Sequence, residues 1–201
     1  MILIPEIETV VILIPRTGTS SLRRAIAAKY PESIPIYRHM EADGIPLGYD
    51  RWQKVTLIRD PLDRLWSLYK FIRDFQAGTH DPAFVARMRQ SADRPFSEWL
   101  VHNEVPFSAP YDSAGKGRYW PYFTCRHPIP ENRKSQEIYA RPDLGTECYS
   151  YKRIDEYLDI LGLPDLGPER HNATNGNLPT ITGEAMDHIN TWFRWDMEMA
   201  R

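Results

Sequence analysis

Residues 10–30, VVILIPRTGTSSLRRAIAAKY, contain the strongest pattern of secondary structure in the sequence. Residues 10–14 are β-branched or leucine, a composition that is typical of a strand buried on both faces. A short turn of small residues follows. Residues 20–30 then show the spacing of a helix, with Thr19 or Ser20 as the N-terminal cap. A strand, a tight turn and a helix in this order predict an α/β unit.

Further apolar runs predict three more strands, and amphipathic patterns predict five more helices. The strands are predicted at residues 34–37, 55–58 and 147–151, and the helices at residues 61–75, 82–91, 95–103, 154–161 and 183–200. Residues 105–135 hold proline, glycine and aromatic residues without a clear period, which indicates a long loop region. Strands that alternate with helices predict an α/β fold with a central, mainly parallel sheet flanked by helices.

The composition limits the class of protein. The 201 residues suit a single domain over residues 1–201, and 25 basic against 27 acidic residues give a formal charge of −2. This balance argues against a general nucleic-acid binder, so an anion site must be built locally. The sequence shows no apolar run of membrane-spanning length, no secretory-signal pattern, and two cysteines without metal-ligand spacing. We therefore expect a cytoplasmic protein without a membrane segment or a metal site.

Residues 15–21, PRTGTSS, have the features of an anion site. Backbone N–H groups at the start of a helix point at one place, and the helix dipole adds partial positive charge there. Gly18 permits close approach and Arg16 supplies a full charge. Hydroxyl donors come from Thr17, Thr19, Ser20 and Ser21. The implied ligand is a phosphate or a sulfate, and the alternative is an ordinary capped helix with a Ser/Thr-rich start.

A second candidate is RDPLDRLWSLY, residues 59–69, in which Arg59 ends a predicted strand and Ser67 lies on the following helix. Ligands of open α/β sheets bind at the carboxyl ends of the strands. An arginine fork and a serine hydroxyl placed there can hold one phosphate. The alternative is a local ion pair between Arg59 and Asp60, with Ser67 filling a gap in the helix packing.

The two motifs together resemble those of the PAPS-dependent sulfotransferases, in the style of the carbohydrate and protein-tyrosine members of that family. PAPS is 3′-phosphoadenosine 5′-phosphosulfate, the donor of the sulfuryl group. The resemblance implies a three-layer, P-loop-like fold. It also implies that residues 16–21 hold the 5′-phosphosulfate, and that Arg59 and Ser67 hold the 3′-phosphate.

The resemblance extends to later parts of the chain. Residues 149–154, YSYKRI, are similar to the family's next segment, in which Tyr151 takes the place of a tyrosine that contacts the nucleotide. Lys152 stands where the family usually has glutamate. Residues 170–175 and 192–196 are similar to the tail of the carbohydrate-type members.

The family mechanism implies an in-line transfer of the sulfuryl group to a hydroxyl or amine acceptor, without a metal ion. Arg16 stands where many relatives have a lysine, and its implied role is charge stabilisation because arginine does not release its proton. His39, which resembles a histidine found between the two motifs of many relatives, is the first candidate for the base. Glu41 is the rival, because some relatives use a carboxylate.

The expected partner is a small-molecule or carbohydrate acceptor, and neither a nucleic acid nor a membrane is expected. The apolar terminal helix suggests packing either between two elements of the chain or between two subunits, and the second case predicts a homodimer. The short chain favours a cytoplasmic enzyme of bacterial or viral origin. Residues 115–120, GKGRYW, are either a lid over the acceptor or a solvated loop. Two other functions stay open: a P-loop-like kinase, disfavoured because PRTGTSS lacks the P-loop lysine, and a non-catalytic nucleotide-binding relative.

Overall fold

A sheet of five short strands carries the fold of the described residues. The computed structural model describes residues 1–36, 39–75, 82–102, 127, 129–164 and 178–201. The strands are β1 (Ile2–Ile4), β2 (Thr9–Ile12), β3 (Ile34–Pro35), β4 (Gln53–Ile58) and β5 (Thr146–Ser150). The helices are α1 (Thr19–Lys29), α2 (Pro61–Arg73), α3 (Pro82–Ser91), α4 (Phe96–His102), α5 (Gln136–Ala140), α6 (Ile154–Ile160), α7 (Gly183–Trp192) and α8 (Arg194–Met199).

The sheet is mixed, which corrects the expectation of a mainly parallel sheet. Its order is β3-β1-β2-β4-β5. β2 pairs with β4 and β4 with β5 in parallel, whereas β1 is antiparallel to both β2 and β3. The sequence did not reveal β1, because three apolar residues are too few to show a period. A tight reversal in which Glu8 has a φ of 47° brings Ile4 opposite Thr9.

Four of the described strands nevertheless run in the same direction. Because β1 is antiparallel to both of its neighbours, β3 points the same way as β2, and parallel pairing extends this direction to β4 and β5. The carboxyl ends of these four strands therefore share one edge of the sheet. This is the edge at which ligands of open α/β sheets bind.

The apolar run of residues 10–14 is buried on both faces of the sheet, as predicted, with each side chain at most 1% exposed. On one face, Val11 and Leu13 belong to an apolar cluster with α1 and α6. On the other face, Ile12 packs with apolar residues of segment 40–52, and Ile14 packs with α5 and α8. Because both faces of the strand are buried, its apolar residues are continuous and do not alternate with polar ones.

A second apolar core lies among α2, α3, α4 and α7. Trp99 of α4 is completely buried there, and the Tyr69 ring of α2 lies 5.5 Å from the Trp99 ring in an edge-on arrangement. The Tyr69 hydroxyl donates a hydrogen bond to the Arg94 carbonyl at 2.6 Å. These contacts hold the apolar side of α2, the helix that carries Ser67.

The terminal helix predicted over residues 183–200 is two helices, α7 and α8. The chain leaves helical geometry at Phe193, which has a φ of −128° and a side chain buried in the second core.

α5 was not predicted. Residues 129–135 form no regular helix or strand, as the loop prediction requires, and the rest of 105–135, with the exception of His127, lies outside the described ranges. Among the described helices, none has the length and apolar character needed to cross a membrane.

Candidate functional site

The loop after β2 is held in an unusual backbone conformation. Arg16 has a φ of 67° and Gly18 a φ of 79°, values that glycine adopts readily and arginine rarely. Thr17 is buried, and its hydroxyl donates to the Ile14 carbonyl at 2.9 Å, so this side chain closes the turn. Left-handed conformations of residues other than glycine cost about 1–3 kcal/mol and cluster at functional sites. The strain at Arg16 therefore marks this loop as a candidate site.

The start of α1 offers backbone donors at the same edge. Gly18 is the N-terminal cap and Thr19 the first helical residue, so the prediction that Thr19 or Ser20 caps the helix is wrong. No side chain of the described residues caps this end. The first N–H groups of a helix lack partners within it, and here they belong to the turn that contains Thr19, Ser20 and Ser21. Backbone donors and hydroxyls thus occur together, as an anion site requires.

Arg59 follows the last residue of β4, as the sequence predicts. The next residue, Asp60, caps α2 by accepting hydrogen bonds from the N–H groups of Leu62 and Asp63 at 3.0 and 3.1 Å. Pro61 is the first residue of that helix, where its missing N–H costs nothing. This cap fixes the direction in which α2 leaves the sheet.

The two motifs meet at the carboxyl edge of the sheet. The Arg16 Nε donates a hydrogen bond to the Ser67 Oγ at 3.0 Å, across 51 residues of sequence. The Arg59 Nη1 donates to the Arg16 carbonyl oxygen at 3.2 Å. The Arg16 guanidinium also lies 4.9 Å from the centre of the Phe71 ring of α2. These contacts place the Arg16 guanidinium beside the buried hydroxyl of Ser67 and the Arg59 guanidinium beside the backbone of Arg16.

Tyr151 lies at the same place. It follows the last residue of β5, its ring centre is 6.0 Å from the Arg59 guanidinium carbon, and 43% of it is exposed. A Cβ built on Gly18 would lie 3.7 Å from the Tyr151 hydroxyl oxygen. The ends of β2, β4 and β5, together with α2, thus bring Arg16, Gly18, Arg59, Ser67 and Tyr151 together.

His39 is buried beside the end of β2, where its Nδ1 lies 2.9 Å from the Leu13 carbonyl oxygen. A carbonyl oxygen only accepts, so Nδ1 carries the proton in this contact. In the neutral ring the lone pair is then on Nε2, the arrangement that a general base needs. The structure therefore places His39 at the edge predicted for it.

Glu41 is also buried, but its carboxylate is engaged by cations and donors. It forms an ion pair with the Nζ of Lys134, a side chain with no exposed surface. The His127 Nδ1 lies 3.2 Å from the second carboxylate oxygen, and the His127 N–H donates to the first at 3.3 Å. These contacts engage both carboxylate oxygens and give Glu41 a structural role, which differs from that of a base for the acceptor.

Glu41, Asp43 and His127 each offer a ligand atom, and these atoms lie within 4.8 Å of one another, as in a metal site. Both carboxylates are already paired with cations, Glu41 with Lys134 and Asp43 with the Arg141 Nη1 at 3.0 Å. A divalent cation would have to compete with these two charges. The arrangement therefore fits an ion-pair network better than a metal centre.

Sequence reasoning missed a buried polar segment beside this edge. Its side chains are at most 6% exposed and belong to Glu131, Asn132, Lys134, Ser135 and Gln136. Arg64 of α2, fully buried, donates from Nη2 to the Lys134 carbonyl at 2.7 Å. The segment follows prolines and is rich in charge, which is the usual pattern of an exposed loop.

Comparison with known proteins provides no relative for this arrangement. Neither the family models, nor the curated proteins, nor the solved structures contain a match to the chain. The function therefore has to be argued from the chain's own residues. Residues 115–120 and 170–175, which the sequence analysis also singled out, lie outside the described ranges.

Proposed function

We propose that the chain is a PAPS-dependent sulfotransferase with a three-layer, P-loop-like fold. The proposal rests on the contact between the two motifs. Arg16 donates a hydrogen bond to the Ser67 hydroxyl, and Arg59 donates one to the backbone carbonyl of Arg16. The expected acceptor is a hydroxyl or amine on a small molecule or a carbohydrate. Cytoplasmic location and a homodimer are part of the same proposal.

The residues at this edge suit a nucleotide with phosphates at both ends of its ribose. Arg59 and Ser67 would bind the 3′-phosphate with an arginine fork and a hydroxyl. Gly18 and the first N–H groups of α1 would bind the 5′-phosphosulfate, with the hydroxyls of the first turn beside them. Tyr151 offers a half-exposed ring for the nucleoside.

Positive charge accumulates on this side of the molecule. Burial and the positive charges of Arg73 and Arg59 lower the pKa of Lys70 on α2, with Asp74 acting in the opposite direction. Burial is the larger cause of this shift, and the two guanidinium charges add to it. Arg16, Arg59 and Lys70 would supply local positive charge for an anionic ligand, although the net charge of the chain is −2.

In the proposed reaction the acceptor oxygen or nitrogen forms a bond to sulfur while the bond from sulfur to the 5′-phosphate oxygen breaks. His39 takes the acceptor's proton on Nε2, and Arg16 stabilises the charge that grows on the leaving phosphate. The products are the sulfated acceptor and 3′-phosphoadenosine 5′-phosphate (PAP). The chain's own contribution is positioning and charge stabilisation, and no metal ion takes part in the scheme.

The kinase alternative has less support at this edge. A magnesium-dependent kinase needs a lysine on the phosphates and an acidic group for the metal. The cation of the first loop is Arg16, and Asp60, the acidic residue after β4, is used to cap α2. A nucleotide-binding relative without turnover would use the same contacts and stays a separate candidate.

A thermal-shift experiment with PAP and with ATP–Mg²⁺ tests the proposal. At about 100 times its dissociation constant, PAP is expected to add about 2.7 kcal/mol to the free energy of unfolding, with little effect of ATP–Mg²⁺. Stabilisation by ATP–Mg²⁺ alone would overturn the proposal. Transfer of labelled sulfuryl groups from PAPS to sugar, phenol and amine acceptors then separates an enzyme from a binding protein.

A further inference from the structure

The backbone of Arg59 has a side-chain partner that comes from a distant part of the chain. The Arg59 N–H donates to the Oε1 of Gln136 at 3.0 Å, and the Gln136 Nε2 donates to the Arg59 carbonyl at 2.7 Å. Gln136 is fully buried at the start of α5. The pairing of β4 with β5 ends one residue before Arg59, at Ile58. The Gln136 amide thus holds the first backbone unit beyond the sheet.

Asp196 of α8 fixes the Gln136 amide in turn. Its carboxylate accepts from the Gln136 backbone N–H at 2.9 Å, from the Gln136 Nε2 at 3.0 Å, and from the Ser135 hydroxyl. A carboxylate and a carbonyl only accept, so the amide nitrogen of Gln136 must face Asp196 and the Arg59 carbonyl. Its oxygen is then left to receive the Arg59 N–H, and one orientation of the amide satisfies every contact.

The Asp196 carboxylate carries its charge in a buried position, which is unfavourable unless neighbouring groups stabilise it. Burial raises the pKa of its carboxyl, and the positive charge of Arg64 together with hydrogen bonds from Ser135 and Gln136 acts in the opposite direction. A second set of contacts joins the end of the chain to the sheet, since the Ser150 hydroxyl donates to the Ala200 carbonyl at 3.1 Å. The terminal helix is therefore docked beside both Arg59 and the end of β5.

We propose that Gln136 is a positioning residue for Arg59, fixed in its orientation by Asp196. The proposal rests on the proposed function, because it assigns Arg59 to the 3′-phosphate. An arginine fork binds a phosphate through two hydrogen bonds whose directions are set by the backbone from which the side chain starts. Holding both backbone groups of Arg59 limits the positions that its guanidinium can reach, and contact geometry within about 0.5 Å depends on such supporting residues.

The test compares PAP with adenosine 5′-phosphate (AMP), which lacks the 3′-phosphate, on the full chain by titration calorimetry. Gln136→Met removes both hydrogen bonds to Arg59 and keeps the length of the side chain. We expect the dissociation constant of PAP to rise about tenfold and that of AMP to change less than twofold. The preference for PAP over AMP then falls about tenfold, a readout that a loss of stability alone does not move.

Tyr139→Phe is the matched control. Tyr139 lies one turn along α5, is also buried, and donates its hydroxyl hydrogen bond to Glu131 instead of Arg59. We expect it to lower stability and leave the preference for PAP unchanged. If Gln136→Met does not fold, Gln136→Asn, whose shorter side chain cannot span both groups of Arg59, gives the same measurement.

The outcomes separate the two proposals. A wild-type chain that binds PAP no more tightly than AMP overturns the proposed function. A wild-type chain that prefers PAP, combined with a Gln136 variant that keeps this preference or loses both ligands equally, leaves the proposed function standing and overturns the positioning role.

Discussion

His39→Asn is expected to lower the rate of sulfuryl transfer by about 10²- to 10⁴-fold, the usual contribution of a general base. The asparagine amide nitrogen can replace Nδ1 as the donor to the Leu13 carbonyl, so the fold around the site is retained. It has no group with the proton affinity of Nε2. The affinity for PAP should stay within about twofold of the wild type, because His39 is assigned to the acceptor side. Single-turnover transfer from labelled PAPS and calorimetric titration of PAP measure the two quantities.

Glu41→Gln is the control that separates the two candidate bases. In the structure the Glu41 carboxylate is paired with Lys134, so the variant is expected to lose stability and to keep its rate of transfer at a temperature where it is folded. A folded Glu41→Gln chain without transfer, beside a His39→Asn chain with full transfer, would reverse the assignment.

Lys134→Met is expected to produce the largest loss of stability, about 3–5 kcal/mol, because it leaves the charge of Glu41 buried without its ion-pair partner. Lys134 has no exposed surface, and its Nζ also donates to the His127 carbonyl at 3.0 Å and lies 4.4 Å from the centre of the Tyr139 ring. For a chain of this size the loss corresponds to a fall of about 10 °C in Tm. Urea denaturation followed by fluorescence measures the free energy of unfolding.

The double variant Glu41→Gln/Lys134→Met is the partner experiment, since it removes both charges of the pair. It should recover part of the stability lost by Lys134→Met, a coupling that a double-mutant cycle reports directly. Lys54→Met, at a partly exposed position near the start of β4, is the matched single change and should shift stability by about 0.5 kcal/mol or less. Equal losses in Lys134→Met and Lys54→Met would show that the ion pair does not stabilise the fold.

The parts of the fold that the sequence predicts are those with local patterns. β2 with α1, β4 with α2, and β5 with α6 each join an apolar run to a helix with a visible start, and all three units occur in the structure. β3 was predicted over residues 34–37 and is present as Ile34–Pro35, whereas β1 depends on pairing across the sheet, which no local pattern shows. The antiparallel position of β1, and with it the mixed sheet, follows from these long-range pairs.

The residues of the candidate site also fall into two groups, those that local sequence patterns predict and those that depend on distant partners. Arg16, Arg59 and Ser67 could be assigned from sequence because strand ends of common direction meet at one edge, and the structure brings them together. The polar segment around Lys134 and Gln136 could not, because its partners are 93 and 60 residues away in Glu41 and Asp196. A charged residue in a proline-rich stretch has the pattern of exposed chain until its partner is known.

The proposed function depends on Arg59, at the carboxyl end of β4, to bind a bisphosphate nucleotide. The decisive experiment measures the dissociation constant of PAP for the wild type, for Arg59→Ala and for Arg51→Ala. Arg51 precedes the amino end of β4, at the opposite edge of the sheet, and its loss removes the same charge. We predict that Arg59→Ala weakens PAP binding about 100-fold, a loss of about 2.7 kcal/mol that is typical of a truncated charge pair, and that Arg51→Ala does not. A wild-type chain that does not bind PAP, or an Arg59→Ala chain that binds it as tightly as the wild type, would overturn the assignment of Arg59 to the 3′-phosphate.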